Sequence, residues 1–171
     1  LGHAILQAKH IITDDFFGII LADDLILSEP GCLKQLLEIH EKTQSSVLGV
    51  FSASKNKVSN YGVISSKNID GIEKVDGIVE KPKPADAPSN LAVFGRYILS
   101  KDIFLNIEQT KPGLNNEIQL TDAIQDLISN QDVFALEFEG RRFDCGSKEG
   151  YISAIIDRAS SIDKYKSIIE K

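Results

Sequence analysis

Ile78-Val79-Glu80-Lys81-Pro82-Lys83-Pro84-Ala85-Asp86-Ala87-Pro88-Ser89-Asn90-Leu91-Ala92-Val93-Phe94-Gly95-Arg96-Tyr97 is the stretch on which the reading of the fold turns. It divides into a strand, a proline-rich loop and a second strand. Ile78 and Val79 are β-branched and suit a pleated, buried surface. The strand then delivers a carboxylate and an ammonium, Glu80 and Lys81, side by side. Successive strand side chains point to opposite faces, so a regular strand keeps these two apart. Pro82 follows, biasing Lys81 to an extended conformation and ending ladder pairing. The pair therefore sits at a strand end, where open α/β sheets place ligands. A carboxylate there can accept two sugar hydroxyls, and a lysine can meet a phosphate as a point charge. From the spacing alone, a plain surface ion pair, worth under about 1 kcal/mol, is the preferred reading.

Outward from this stretch the chain alternates strands and helices. Residues 2–12 carry a helical apolar stripe. Phe16 to Ala22 is a continuous apolar run ending in Asp23-Asp24, and its length and β-branching predict a central parallel strand. Two carboxylates after such a strand suit magnesium, which takes one or two carboxylates plus waters and phosphates. An acidic turn or helix N-cap is the other reading. A helix is predicted over 31–44, a strand over 46–53 and a polar loop over 54–60. Tyr61-Gly62-Val63-Ile64 opens another strand, whose glycine permits close approach of a ligand or marks a bulge. A hairpin-like turn over 66–74 contains Gly71.

Further strands are predicted at 91–99 and 133–139, with helices at 101–109, about 117–129 and 147–168, and a loop at 114–116. Asp144, after the Gly140 turn, reads as a turn residue. The pattern predicts a three-layer, Rossmann-like α/β fold with a mixed, mostly parallel sheet, in one domain over residues 1–171.

Composition narrows the function. Nineteen basic residues against 25 acidic give a net charge of −6 over 171 residues, which argues against a non-specific nucleic-acid binder. Local positive charge is all a phosphate pocket needs. Cys32 and Cys145 are the only cysteines, and two in a chain this long favour a reducing, cytoplasmic setting over a disulfide framework. No apolar run approaches the ~18 residues of a membrane span, and no signal peptide is read. Methionine is absent even at position 1, so a processed, excised or incompletely read chain is expected.

The short motifs gain weight as an ordered set. Leu1-Gly2-His3-Ala4, Asp23-Asp24, Tyr61-Gly62-Val63, Val79-Glu80-Lys81-Pro82, Ala87 to Ala92, Gly95-Arg96-Tyr97, Asn116 to Ala123 and Asp144-Cys145-Gly146 follow one another along the chain. In that order they resemble the bacterial UTP–glucose-1-phosphate uridylyltransferases of the sugar-nucleotide pyrophosphorylase family. The resemblance implies transfer of a uridylyl group from UTP to glucose 1-phosphate, giving UDP-glucose and pyrophosphate. It implies that Glu80 holds sugar hydroxyls, that Lys81 neutralises the sugar phosphate, and that Tyr61 and Gly62 line the sugar pocket. It implies magnesium at Asp23 and Asp144, with Lys81 and Asp23 the catalytic pair. It gives residues 116–123 a mainly structural part.

The family's glycine-rich loop, with its arginine and lysine, is not among these motifs. The chain resembles roughly the last three-fifths of such an enzyme, an N-terminally truncated form. The expectation is therefore that 171 residues alone bind the sugar-phosphate side without turnover and associate as a homo-oligomer. The rival readings are a non-catalytic sugar-phosphate-binding or assembly module and a truncated product without activity.

Overall fold

The computed structural model of the protein describes residues 1–113 and 116–169. Of the loop expected at 114–116, residues 114 and 115 lie outside the described residues. The elements run α1 (Gly2–Leu6), β1 (Phe16–Ile20), β2 (Asp24–Leu27), α2 (Cys32–Thr43), β3 (Ser46–Ser52), β4 (Gly62–Ile69), β5 (Ile72–Glu80) and β6 (Leu91–Ser100). Then follow α3 (Ile103–Gln109), α4 (Leu120–Ile128), β7 (Val133–Glu137), β8 (Arg141–Asp144), α5 (Lys148–Ser160) and α6 (Asp163–Ile169).

Six strands form one sheet in the order β1-β6-β3-β7-β5-β4, and β2 and β8 form a separate ribbon. Strand alternation explains how the large sheet is covered on both faces. In β6, Val93, Tyr97 and Leu99 point to one side, where α1, α3 and α4 supply Ile5, Ile103, Phe104, Ile107, Ile124 and Leu127. Phe94 and Ile98 point to the other side, where α2 brings Cys32 and Leu36. In β3, Val47 goes with the second set and Leu48 and Val50 with the first. The result is the three-layer α/β arrangement expected from the alternation of elements.

The sheet is mixed, but its balance differs from the expectation. Among the described residues only β3 and β7 pair in parallel; β1–β6, β3–β6, β5–β7 and β4–β5 are antiparallel. The apolar run before Asp23 forms β1, which lies at one end of the described strand order and antiparallel to β6. An apolar, β-branched run reports burial but not the direction of its neighbour, and β6 runs against both strands it separates. The expected hairpin is present: Asp70 and Gly71 have φ of 53° and 84°, the left-handed pair that a tight two-residue turn requires.

Helix ends also shift. The helix expected over 117–129 begins at Leu120, and that over 2–12 closes at Leu6 with irregular turns beyond. The long helix expected over 147–168 is two helices. At the break the Ser161 hydroxyl donates to the Arg158 carbonyl at 2.7 Å, a local bond that competes with helical continuation. Among the described residues no helix is long and apolar enough to cross a membrane.

The α2 contact gives a stability test. Leu36 is fully buried among Cys32, Val47, Phe94 and Ile98, whereas its neighbour Leu37 is 42% exposed. Leu36→Ala is expected to cost about 2–5 kcal/mol in urea unfolding. Leu37→Ala is expected to change stability by no more than about 1 kcal/mol. Equal losses for the two would refute this placement of α2.

Candidate functional site

The site begins with two short strands, β2 and β8, that the sequence reading did not predict. β2 and β8 pair antiparallel with Asp24 opposite Asp144, and the Cys145 amide donates to the Asp23 carbonyl at 2.7 Å. That ribbon brings the acidic pair after β1 to the acidic residue near the carboxyl end. An added Cβ at Gly146 would lie 3.1 Å from Asp23 Oδ2 and 3.2 Å from Asp144 Oδ1. The two carboxylates therefore border the one point that a side chain at position 146 would occupy.

Adjacent Asp24 has a different task. It is buried, its Oδ2 accepts from the Gly95 amide at 2.8 Å, and its Oδ1 accepts from Arg142 Nε at 2.5 Å. Arg96 completes the clamp by donating to the Asp24 carbonyl at 2.6 Å and to the Leu21 carbonyl at 3.2 Å. Gly95 is required here, because a Cβ would stand 2.5 Å from Leu21 Cβ and 2.8 Å from Asp24 Oδ2. Asp24 is thus committed to the protein, and Asp23 is the carboxylate left to face the cavity.

Arg142 links this end to the aromatic wall. Its guanidinium carbon lies 4.6 Å from the Phe51 ring centre and 5.2 Å from that of Tyr61, a cation–π arrangement. Burial alone would lower its pKa, but bonds to Tyr61 and Asp24 more than offset this and raise it. The Tyr61 hydroxyl in turn donates to Asp144 Oδ2 at 3.5 Å.

At the other end of Tyr61 its carbonyl accepts from the Lys81 amide at 3.0 Å. Lys81 is not extended, as the following proline suggested: its φ is 45°, in the left-handed region. A non-glycine residue there is strained by about 1 kcal/mol or more. The turn ends the alternation of β5, so Glu80 and Lys81 line the same cavity instead of opposite faces. Lys81 Nζ lies 3.3 Å from Glu80 Oε1, and Glu80 Oε2 accepts from the Thr121 hydroxyl at 2.9 Å.

These groups share one cavity of about 350 Å³. Asp23, Tyr61, Gly62, Glu80, Lys81 and Asp144, the six residues singled out from sequence, all line it. So do Arg142, Thr121, Tyr97 and Glu117, which sequence reasoning left without a part in the site. Burial, then the nearby Asp24 and Glu80 charges, push the Tyr97 phenol above its ordinary range, which keeps it a neutral hydroxyl.

The donor set suits a hard cation of low ligand demand. Among the described residues no group of three or more His, Cys, Asp or Glu side chains is placed to hold a metal. Magnesium requires only one or two carboxylates, the rest of its shell being water and substrate phosphate. Asp23 and Asp144 around Gly146 fit that description, and Asp24 does not.

Comparison with known proteins accords with this geometry. A family model described as nucleotidyl transferase matches residues 1–161. A UTP–glucose-1-phosphate uridylyltransferase of Pseudomonas aeruginosa is 48% identical over 157 residues, covering 90% of this chain and 56% of the relative. A second, from Streptococcus pyogenes, is 44% identical over 165 residues, covering 93% and 55%. A UDP-glucose pyrophosphorylase solved in complex with UDP-glucose superposes with a TM-score of 0.91 at 45% identity, over 95% of this chain and 63% of that one. The Acinetobacter baumannii pyrophosphorylase gives 0.84 at 34% identity, over 99% and 60%. The chain thus spans little more than half the length of these curated relatives.

The buried ion pair yields a test. The Arg142 and Asp24 side chains are 13% and 9% exposed. Arg142→Met leaves Asp24 charged and unpaired and is expected to cost about 3–5 kcal/mol in urea unfolding. Adding Asp24→Asn is expected to restore part of that loss. A single variant as stable as the unmutated protein would remove the pair from its place in this account.

Proposed function

The chain belongs to the nucleotidyl transferase family, and on that footing we propose that it carries the sugar-phosphate and metal side of a uridylyl-transfer site. The proposed reaction joins UTP and glucose 1-phosphate to give UDP-glucose and pyrophosphate, with residues 1–171 acting as one unit. The observation that carries this reading is the left-handed turn at Lys81. It sets an ammonium beside a carboxylate in a cavity whose other end holds Asp23 and Asp144.

In the proposed reaction an oxygen of the sugar phosphate forms a bond to the α-phosphorus of UTP. The bond from that phosphorus to the bridging oxygen breaks, and pyrophosphate leaves with the electron pair. Such a displacement needs alignment and charge neutralisation more than covalent help. Glu80 accepts hydroxyls of the sugar through the oxygen that Thr121 does not occupy. Lys81 places its charge on the sugar phosphate and, being held by the Tyr61 carbonyl, does so from a fixed backbone. Asp23 and Asp144 would hold magnesium, which supplies charge neutralisation at the phosphates when bound. Tyr61 ties the two ends through its hydroxyl and its carbonyl.

Two measurements test the proposal. Calorimetric titration with glucose 1-phosphate and with UDP-glucose is expected to show binding, and Lys81→Ala is expected to weaken it roughly 10- to 100-fold, as for a lost charged hydrogen bond. Undiminished binding by that variant would overturn the role of Lys81. Release of pyrophosphate from UTP and glucose 1-phosphate with magnesium separates transfer from mere binding, with Asp23→Asn expected to remove the response to magnesium. Binding without turnover favours the rival reading, a sugar-phosphate-binding module.

A further inference from the structure

The run from Asn116 to Ala123 is an ordered motif without a part in the proposed chemistry, and it supplies the start of α4. Thr121 is the second residue of that helix and is buried. Its hydroxyl donates to Glu80 Oε2 at 2.9 Å, and one turn later Gln125 Oε1 accepts the Ile78 amide at 2.8 Å. The two bonds sit at i and i+4, on one face of α4, and fasten that face along the last residues of β5. The Thr121 methyl occupies the space above Gly62: a Cβ at position 62 would meet Thr121 Cγ2 at 2.6 Å. The nearest other atoms to that Cβ are Val93 Cγ2 at 3.0 Å and Glu80 Oε2 at 3.5 Å.

We propose that Thr121 is a positioning residue for Glu80, and that position 62 is glycine so that the threonine methyl can reach its seat. The proposal rests on the reading of Glu80 and Lys81 as the sugar-phosphate contacts. The last torsion of a glutamate is broad, so a carboxylate without a fixed donor rotates freely. Thr121 takes one oxygen and leaves the other, Oε1, beside the Lys81 ammonium. Carboxylate and ammonium then present one acceptor and one cation in a fixed relation, which lowers the entropy lost when a sugar phosphate binds. The hydroxyl does this work, while the methyl only packs.

That division makes four variants informative, each titrated with glucose 1-phosphate and, separately, with UTP and magnesium. Thr121→Val keeps the shape and removes the donor; it is expected to weaken glucose 1-phosphate about tenfold and leave UTP within about twofold. Thr121→Ser keeps the donor and is expected to stay within about threefold of the unmutated protein. Gly62→Ala drives the methyl away and is expected to behave like Thr121→Val. Combining Gly62→Ala with Thr121→Ser removes the clashing methyl and is expected to recover sugar-phosphate binding. Melting temperatures separate these effects from general destabilisation.

Sugar-phosphate affinity unchanged in Thr121→Val overturns the proposal. So does a Thr121→Ser variant as weak as Thr121→Val, or an equal loss for UTP. Failure of the unmutated protein to bind glucose 1-phosphate defeats the underlying functional reading and the proposal with it. Binding that is intact but indifferent to Thr121 defeats the proposal alone.

Discussion

The buried carboxylate of Asp24 is the constraint around which the site is arranged. Its two oxygens are taken by a main-chain amide of β6 and by the guanidinium of Arg142 on β8, while Arg96 holds its carbonyl. A buried carboxylate is costly unless every lone pair is met, so these partners are obligatory. Meeting them fixes the turn after β1, draws β8 against β2 and lays Arg142 beneath Phe51 and Tyr61. Asp23 lines the cavity with Asp144. One acidic residue serves the framework so that its neighbour can serve a ligand.

Much of this was legible in the sequence, and the reasons differ by residue. The strands expected over 91–99 and 133–139 are present as β6 and β7, because apolar, strand-favouring runs of that length report burial in a sheet. The turn at Asp70-Gly71 declared itself through residues that tolerate positive φ. Membership of Asp23, Tyr61, Gly62, Glu80, Lys81 and Asp144 in one cavity followed from family resemblance and not from spacing. Strands β2 and β8 escaped because four residues are too few for a periodicity, and their stability comes from each other. Arg142 escaped because a second arginine in an Arg-Arg pair reads as solvated charge until Asp24 is seen opposite it.

The misread conformation of Lys81 is instructive. A following proline disfavours the helical region for the residue before it, and that bias pointed to a strand. The amide bond to the Tyr61 carbonyl and the packing of the loop select the left-handed region instead. Local preference is a matter of about 1 kcal/mol, which tertiary contacts readily exceed. The same competition placed the start of α4 three residues later than its composition suggested, leaving Thr121 near the helix end and over Glu80.

The ribbon of β2 and β8 also says something about how such a cavity comes to exist. Arg142 and Asp24 are 118 positions apart, whereas the β4–β5 hairpin closes across two residues. By loop length alone, closing the longer span costs on the order of 3 kcal/mol more in chain entropy. Four-residue strands cannot recover that by pairing alone; the ribbon is also held by the Gly95 amide on Asp24 and by the packing of Arg142 on Phe51 and Tyr61. The carboxylate end of the cavity therefore rests on contacts between distant parts of the chain. It is a keystone, set by the arch it completes and lost with any of its stones.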